Sequence, residues 1–207
     1  MNFTQNDAKK LLKIIKARRD VRGNRFLCKE IEDEKVRMIL DAGLAAPSVG
    51  YSQPWKFIVI KDQKIKECVA KNFSVTNAHA KEIFKERELY ASLKLEGIKE
   101  APINIAVLYE PKEEVVLGMT SMQKMGEYSV VCAVQNMWLM ARALNIGVGW
   151  VSILDEQKVL QTLNQKPNTQ LIAYLCVGYV DYFYDESELK TLGWEKEKLF
   201  DTCVTFC

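Results

Sequence analysis

The sequence predicts an α+β fold in one domain spanning residues 1–207. Three observations carry that expectation. Apolar runs of strand length (56–60, 102–109 and 171–179) are separated by longer charged or amphipathic stretches in irregular alternation. No G-x-G-x-x-G follows the first of them, which disfavours a doubly wound dinucleotide-binding domain. No repeat, low-complexity tract or flexible linker divides the chain.

Residues 6–18 alternate lysines with Leu12, Ile14 and Ile15, the pattern of an amphipathic helix that ends at the basic segment Arg18–Arg25. Asp33 is placed to cap a helix over 34–46 with Val36, Leu40 and Leu44 on one face. Pro47–Trp55 is a loop bounded by prolines, and Lys56–Ile60 a strand. Residues 63–98 are rich in helix formers and charge, and predict two helices broken near Asn72–Thr76. Pro102–Tyr109 is a second strand, and 111–125 irregular. From Gly126 to Leu144 the chain is apolar on nearly every side, as in a helix buried all round, but Gln135, Asn136 and Arg142 interrupt it too often for a membrane span. A glycine-rich turn, Gly147–Ser152, then leads into a short apolar strand. Gln157–Leu163 reads as a short helix, and Leu171–Tyr179 as a long apolar strand.

Composition excludes several function classes. A formal net charge of +2 implies no general affinity for nucleic acid. The N-terminus lacks an apolar signal region, so the expected location is cytoplasmic and the six cysteines read as reduced thiols, with Cys132 and Cys176 in the core. Cys203 and Cys207 lack further ligands nearby, and His79 is the only histidine, so no metal site is expected.

Three constellations bear chemistry. In the first, Arg18, Arg19 and Arg22 cluster at a helix end, where guanidinium forks suit a phosphate; a solvated basic face is the plain alternative. Asp20, flanked by these cations, is expected to have a lowered pKa and to serve as an ion-pair acceptor or as a base. In the second, Ser48, Gly50 and Gln53 in the proline-bounded loop suit the hydrogen-bonding edge of a ring, or simply an ordered connection over a buried Trp55. In the third, the turn Gly147–Ser152 offers backbone amides and one hydroxyl, or a half-buried serine in a strand. An anion grip, a polar-edge loop and an amide-rich turn are together what flavin mononucleotide (FMN) requires.

Arg18–Arg22, Ala46–Gly50, Gln53–Trp55, Leu93–Ile98 with Ala101-Pro102, Tyr128-Ser129, Cys132–Asn136 and Gly147–Ser152 stand in one order over about residues 6–194. In that order they resemble the 5,6-dimethylbenzimidazole synthase (BluB) branch of the nitroreductase superfamily. The resemblance implies a nitroreductase-like fold, with a central mixed or antiparallel sheet flanked by helices. It also implies an obligate homodimer, with FMN at each end of the interface and the helix at 128–144 in the dimer core. Arg18, Arg19 and Arg22 would hold the flavin's tail, with Asp20, Val21, Ser48, Leu93, Gly149 and Ser152 near the cofactor. Reduced FMN and dioxygen would be the substrates, and dimethylbenzimidazole, the lower ligand of cobalamin, the product. A separate flavin reductase would be a partner; nucleic acid and membrane would not. Asp20 would be base or proton relay, Ser152 would position the flavin and oxygen, and residues 72–98 would form a lid.

Two departures bear on this. The branch tends to carry arginine where Met119 stands, and R-x-R where Glu195-Lys196-Glu197 follow Gly193-Trp194. An NAD(P)H-dependent reductase of nitro compounds, quinones or flavins is the alternative enzyme reading, and a flavin-holding protein without turnover is the third.

Overall fold

The computed structural model describes residues 1–207. Its centre is a four-stranded antiparallel sheet in the order β1-β2-β4-β3, built from β1 (Trp55–Ile60), β2 (Ile103–Tyr109), β3 (Ile146–Val151) and β4 (Gln170–Tyr179). The helices are α1 (Gln5–Ala17), α2 (Asp33–Leu44), α3 (Gln63–Ile83), α4 (Glu88–Ser92), α5 (Met125–Ala143), α6 (Glu156–Thr162), α7 (Glu188–Thr191) and α8 (Phe200–Cys203).

Every residue of β2 is buried because both faces of the sheet are covered. The strand's period of two sorts its side chains. Ile103, Ile105, Val107 and Tyr109 face a core shared with α2 and α5. Ala106 and Leu108 face a second core with Val69 and Phe73 of α3 and Val159 and Leu160 of α6. A strand covered on both sides reads as an unbroken apolar run, which is why the sequence shows no alternation there.

Local signals set several helix starts. Thr4 and Asp7 form a reciprocal capping box on α1, while Asp62 and Asp155 cap α3 and α6 through their carboxylates. The expected cap at Asp33 is displaced by one residue. Glu32 holds the cap position without a side-chain bond, and Asp33 instead pairs with Lys61 at 3.2 Å. On α2, Val36 and Ile39 are buried, but Leu44 is exposed.

Five other expectations are corrected. Residues 72–76 do not break a helix: α3 runs unbroken through them. Ser74 Oγ and Thr76 Oγ1 donate to the carbonyls of Ala70 and Asn72 four residues back, so these hydroxyls join the helix rather than end it. Gly147–Ser152 is not a turn, since Ile146–Val151 is paired strand and the reversal lies at Asn145, which takes a positive φ of 57°. Within the single chain α5 is not buried all round. Tyr128, Val131 and Cys132 share an exposed stripe, which also places Cys132 at the surface instead of the core. Trp55 is half-buried rather than buried.

Candidate functional site

The segment after α1 is fastened along the free edge of β3. Arg142 Nε donates to Ala17 O at 2.9 Å and Trp138 Nε1 to Arg19 O at 3.2 Å, so α5 holds the chain where α1 ends. Asp20 then forms a parallel bridge with Val148, and Val21 N donates to Val148 O at 3.0 Å. This approach requires a glycine on β3. A Cβ at Gly149 would lie 3.2 Å from the Val21 carbonyl carbon and closer still to its oxygen, inside contact distance.

Asp20 is the centre of this arrangement. Its Oδ1 accepts the Trp150 amide at 3.0 Å and its Oδ2 pairs with Arg22. Arg22 Nη1 donates to the carbonyls of Trp150 and Leu95, each at 3.1 Å. Gly23 N donates to Glu96 O at 2.9 Å. Three separate stretches of chain therefore meet here: residues 20–23, the end of β3, and residues 93–97 that follow α4. Half-buried Leu93 closes α4, two residues before the carbonyl that holds Arg22.

The direction of the Asp20 pKa differs from the expectation. Burial raises the Asp20 carboxyl above the usual aspartate value, against the opposing pull of Arg22, the Trp150 amide and Arg18. Flanking cations are visible in sequence, whereas the desolvation that outweighs them arises only when β3 and the 93–97 segment close around the carboxylate.

The three arginines do not converge on one point. Arg22 is turned inward on Asp20 and the two carbonyls. Arg19 donates to the carbonyls of Lys16, Arg18 and Asp185, leaving its Nε buried without a partner. Arg18 lies 4.5 Å from the centre of the Trp138 ring and pairs with no carboxylate. Ser152 follows β3 with its side chain at the exposed surface, and its hydroxyl makes no hydrogen bond within the chain.

Ser48 lies apart from this group. Its Oγ accepts Gln53 N at 3.1 Å, and Val49 N donates to Ser129 Oγ near the start of α5. Gly50, Tyr51 and Gln53 all have positive φ, and Ser52 Oγ is buried and unpaired. No hydrogen bond joins this loop to Asp20, Leu93, Gly149 or Ser152. None of the five principal cavities is lined by Asp20, Ser48, Leu93, Gly149 or Ser152.

Residues 84–90 pack on the C-terminal tail. Phe84 stacks on Tyr90 at 4.9 Å, Trp194 meets both rings, and Arg87 lies 4.3 Å over Trp194. Trp194 belongs to the Gly193-Trp194 landmark of the resemblance, but Tyr90 carries no motif signal, and nothing in the sequence joins the two rings. Nearby, Lys16, Arg19, Asp185, Lys190, Glu195 and Glu197 line a cleft of about 620 Å³. Lys190 binds Glu186 and Glu197, so the acidic departure at Glu197 is neutralised within the tail. Met119 lines a different cavity, with Tyr109 and Val116.

The model of the nitroreductase family matches residues 15–179. A 5,6-dimethylbenzimidazole synthase of Rhodospirillum rubrum is 39% identical over 185 residues, covering 87% of each chain. A synthase of the same description from Rhodobacter capsulatus is 34% identical over 203 residues, covering 95% of this chain and 96% of its own length. Among solved structures, a protein of Desulfovibrio desulfuricans described as a nitroreductase in complex with FMN matches with a TM-score of 0.66 at 25% identity, over 92% of this chain and 97% of that one. With a family match over most of its length and relatives at 34% and 39% identity, the chain belongs to the nitroreductase family.

Proposed function

We propose that this chain is a 5,6-dimethylbenzimidazole synthase, a flavin-dependent oxidoreductase that uses dioxygen to fragment reduced FMN. The observation that carries the reading is the seating of Asp20 on the Trp150 amide, two residues from Ser152, in a chain 39% identical to a synthase of that activity. The residues fit the flavin. Arg18 has a guanidinium without an ionic partner and Ser152 an unpaired hydroxyl at the exposed surface. These are the donors that a phosphate tail and a polar ring edge require.

When bound, FMN supplies the ring that is taken apart. The rest of the chemistry falls to side chains. Arg18 and Arg19 hold the anionic tail, while Arg22 keeps the Asp20 carboxylate oriented. Asp20, raised in pKa by burial, takes or relays a proton at its carboxyl oxygen. Ser152 Oγ would be the hydroxyl that orients the flavin, with Val21, Leu93 and Gly149 as the adjoining wall and Ser48 at the ring edge. Residues 72–98 act as a lid that excludes water.

In this reading the chain is one FMN-binding domain over residues 1–207, in the cytoplasm, and works as a homodimer. Tyr128 is 49% and Val131 41% exposed on the outward stripe of α5, and α1 buries none of its residues, so apolar side chains on both helices remain uncovered. The separation of the Ser48 loop from the Asp20 cluster supports a flavin site completed by the second subunit. A flavin reductase supplies the reduced FMN. No helix is long and apolar enough to cross a membrane.

The test is incubation of purified protein with chemically reduced FMN and air, followed by mass spectrometry for dimethylbenzimidazole. Simple reoxidation to FMN without product refutes the reading. The alternative, an NAD(P)H-dependent reductase, draws support from a 25% identical Archaeoglobus fulgidus relative named as an NADH dehydrogenase/NAD(P)H nitroreductase. Rapid bleaching of bound flavin by NADPH would favour it.

A further inference from the structure

Helix α3 changes character at Asn72. Before it, Lys66 and Val69 are buried, and the next residue, Phe73, is the last buried position; beyond that the helix leaves the core and Val75 and Ile83 stand exposed. At this point the Asn72 carboxamide meets the backbone of Asp155 on both edges. Nδ2 donates to Asp155 O at 2.9 Å, and Asp155 N donates to Oδ1 at 2.8 Å. A carboxamide presents a donor and an acceptor side by side, so it pairs with a residue's backbone much as a neighbouring strand would. Aspartate lacks the donor, and alanine lacks both groups. Thr76 Oγ1 contacts Asn72 O and Oδ1 and fixes the side chain's orientation.

Asp155 ends the loop that begins at Ser152. The near end of that loop is held by the last β3–β4 pair, Val151 with Tyr174. Between the two ends, the backbone N–H groups of Ser152, Ile153 and Leu154 donate no hydrogen bond within the chain. At the far end the Asp155 carboxylate caps α6 at Lys158 N, its carbonyl accepts Val159 N at 3.2 Å, half-buried Ile153 and Leu154 pack on the second core, and Asn72 grips the Asp155 backbone from outside the loop and α6. The cap fixes only the start of α6. Asn72 ties the loop to a different helix, the one that continues into the segment read as the lid.

We propose that Asn72 is a positioning residue for Ser152. Its two-edged bond to Asp155 sets the path of residues 152–155 and couples that path to α3. This rests on the reading of Ser152 as a group that acts on the flavin. An error of about 1 Å in a reacting group costs on the order of a hundredfold in rate, so even partial release of the loop will be visible in product yield.

The experiment compares wild type with Asn72→Ala, the isosteric Asn72→Asp, Ser152→Ala and Asn72→Ala/Ser152→Ala. In flavin-free protein, amide hydrogen exchange at Asp155, whose N–H donates to Asn72 Oδ1, is expected to quicken in Asn72→Ala, while 63–70 of α3 stays protected. With reduced FMN and air, dimethylbenzimidazole per bound flavin is expected to fall about tenfold or more in both Asn72 variants, with FMN affinity within about threefold of wild type. The double variant is expected to be no worse than Ser152→Ala, because Asn72 acts through that residue. Unchanged exchange, wild-type yield in Asn72→Ala beside a low-yield Ser152→Ala, or additive losses in the double variant each overturn the assignment of Asn72 alone. Full yield in Ser152→Ala overturns the reading of Ser152, and the role of Asn72 with it.

Discussion

Replacing Gly149 by alanine tests whether the close approach of the 20–22 segment to β3 sets the geometry of Asp20. The added Cβ would overlap the Val21 carbonyl, and β3 cannot retreat because its other edge is paired with β4 from Ile146 to Val151. The 20–22 segment must move outward. That stretches or breaks the Val21 N to Val148 O bond and the Trp150 N to Asp20 Oδ1 bond, both 3.0 Å. A neutral bond of this kind contributes about 1 kcal/mol and one to a charged group about 1.5 kcal/mol at the low end. The low end is appropriate because the Asp20 side chain keeps 35% of its surface accessible. Overpacking adds about 1–3 kcal/mol. The expected destabilisation is about 4 kcal/mol, which in a chain of this size lowers Tm by roughly 8–16 °C. Thermal unfolding followed by circular dichroism measures it, and urea titration should show a lower midpoint at unchanged slope. A fall in Tm below about 3 °C would refute the reasoning, since the backbone contact would then not be what demands glycine at 149.

Asp20→Asn should keep the fold and FMN binding but lower product yield by about 10²–10⁴, as measured by mass spectrometry. In wild type, product formation should rise as pH climbs through the raised Asp20 pKa, and this limb should vanish in the variant. Stability carries the opposite sign: a carboxyl raised in the folded state favours folding below the ordinary aspartate value, and that contribution is lost as pH rises through the folded value. Val131→Lys on the outward stripe of α5 should convert a dimer to monomers by light scattering; a wild type that is already monomeric defeats the dimer proposal. Trp194→Ala removes the ring that Phe84, Tyr90 and Arg87 share, contacts contributing about 1–2 kcal/mol together. It should speed hydrogen exchange at 84–90 while leaving β2 protected, and unchanged exchange there would show that the tail does not restrain this segment.

Much of the fold was legible because its signals are local. The alternation of lysines with Leu12, Ile14 and Ile15 in α1, the apolar runs of β1, β2 and β4, and the prolines bounding the 47–54 loop each act within a few residues. Ser74 and Thr76 misled because a hydroxyl that favours turns in isolation can bond back within a helix once packing keeps that helix formed. Asn72 carried no sequence signal at all, since its partner lies 83 residues away.

By itself, then, the sequence determined the three long apolar strands, most of the helices and the family motifs whose resemblance singles out Asp20 and Ser152. Only the tertiary structure decided what surrounds them. The strand order β1-β2-β4-β3 brings Val148–Trp150 beside Asp20, reserves Gly149 for the Val21 carbonyl, and turns Arg22 inward to Leu95. It also reverses the direction of the Asp20 pKa. The physical reason is one of range. Capping and side-chain periodicity act between neighbours in the chain, whereas desolvation and backbone approach depend on segments that meet only after more than a hundred residues of intervening chain have folded between them.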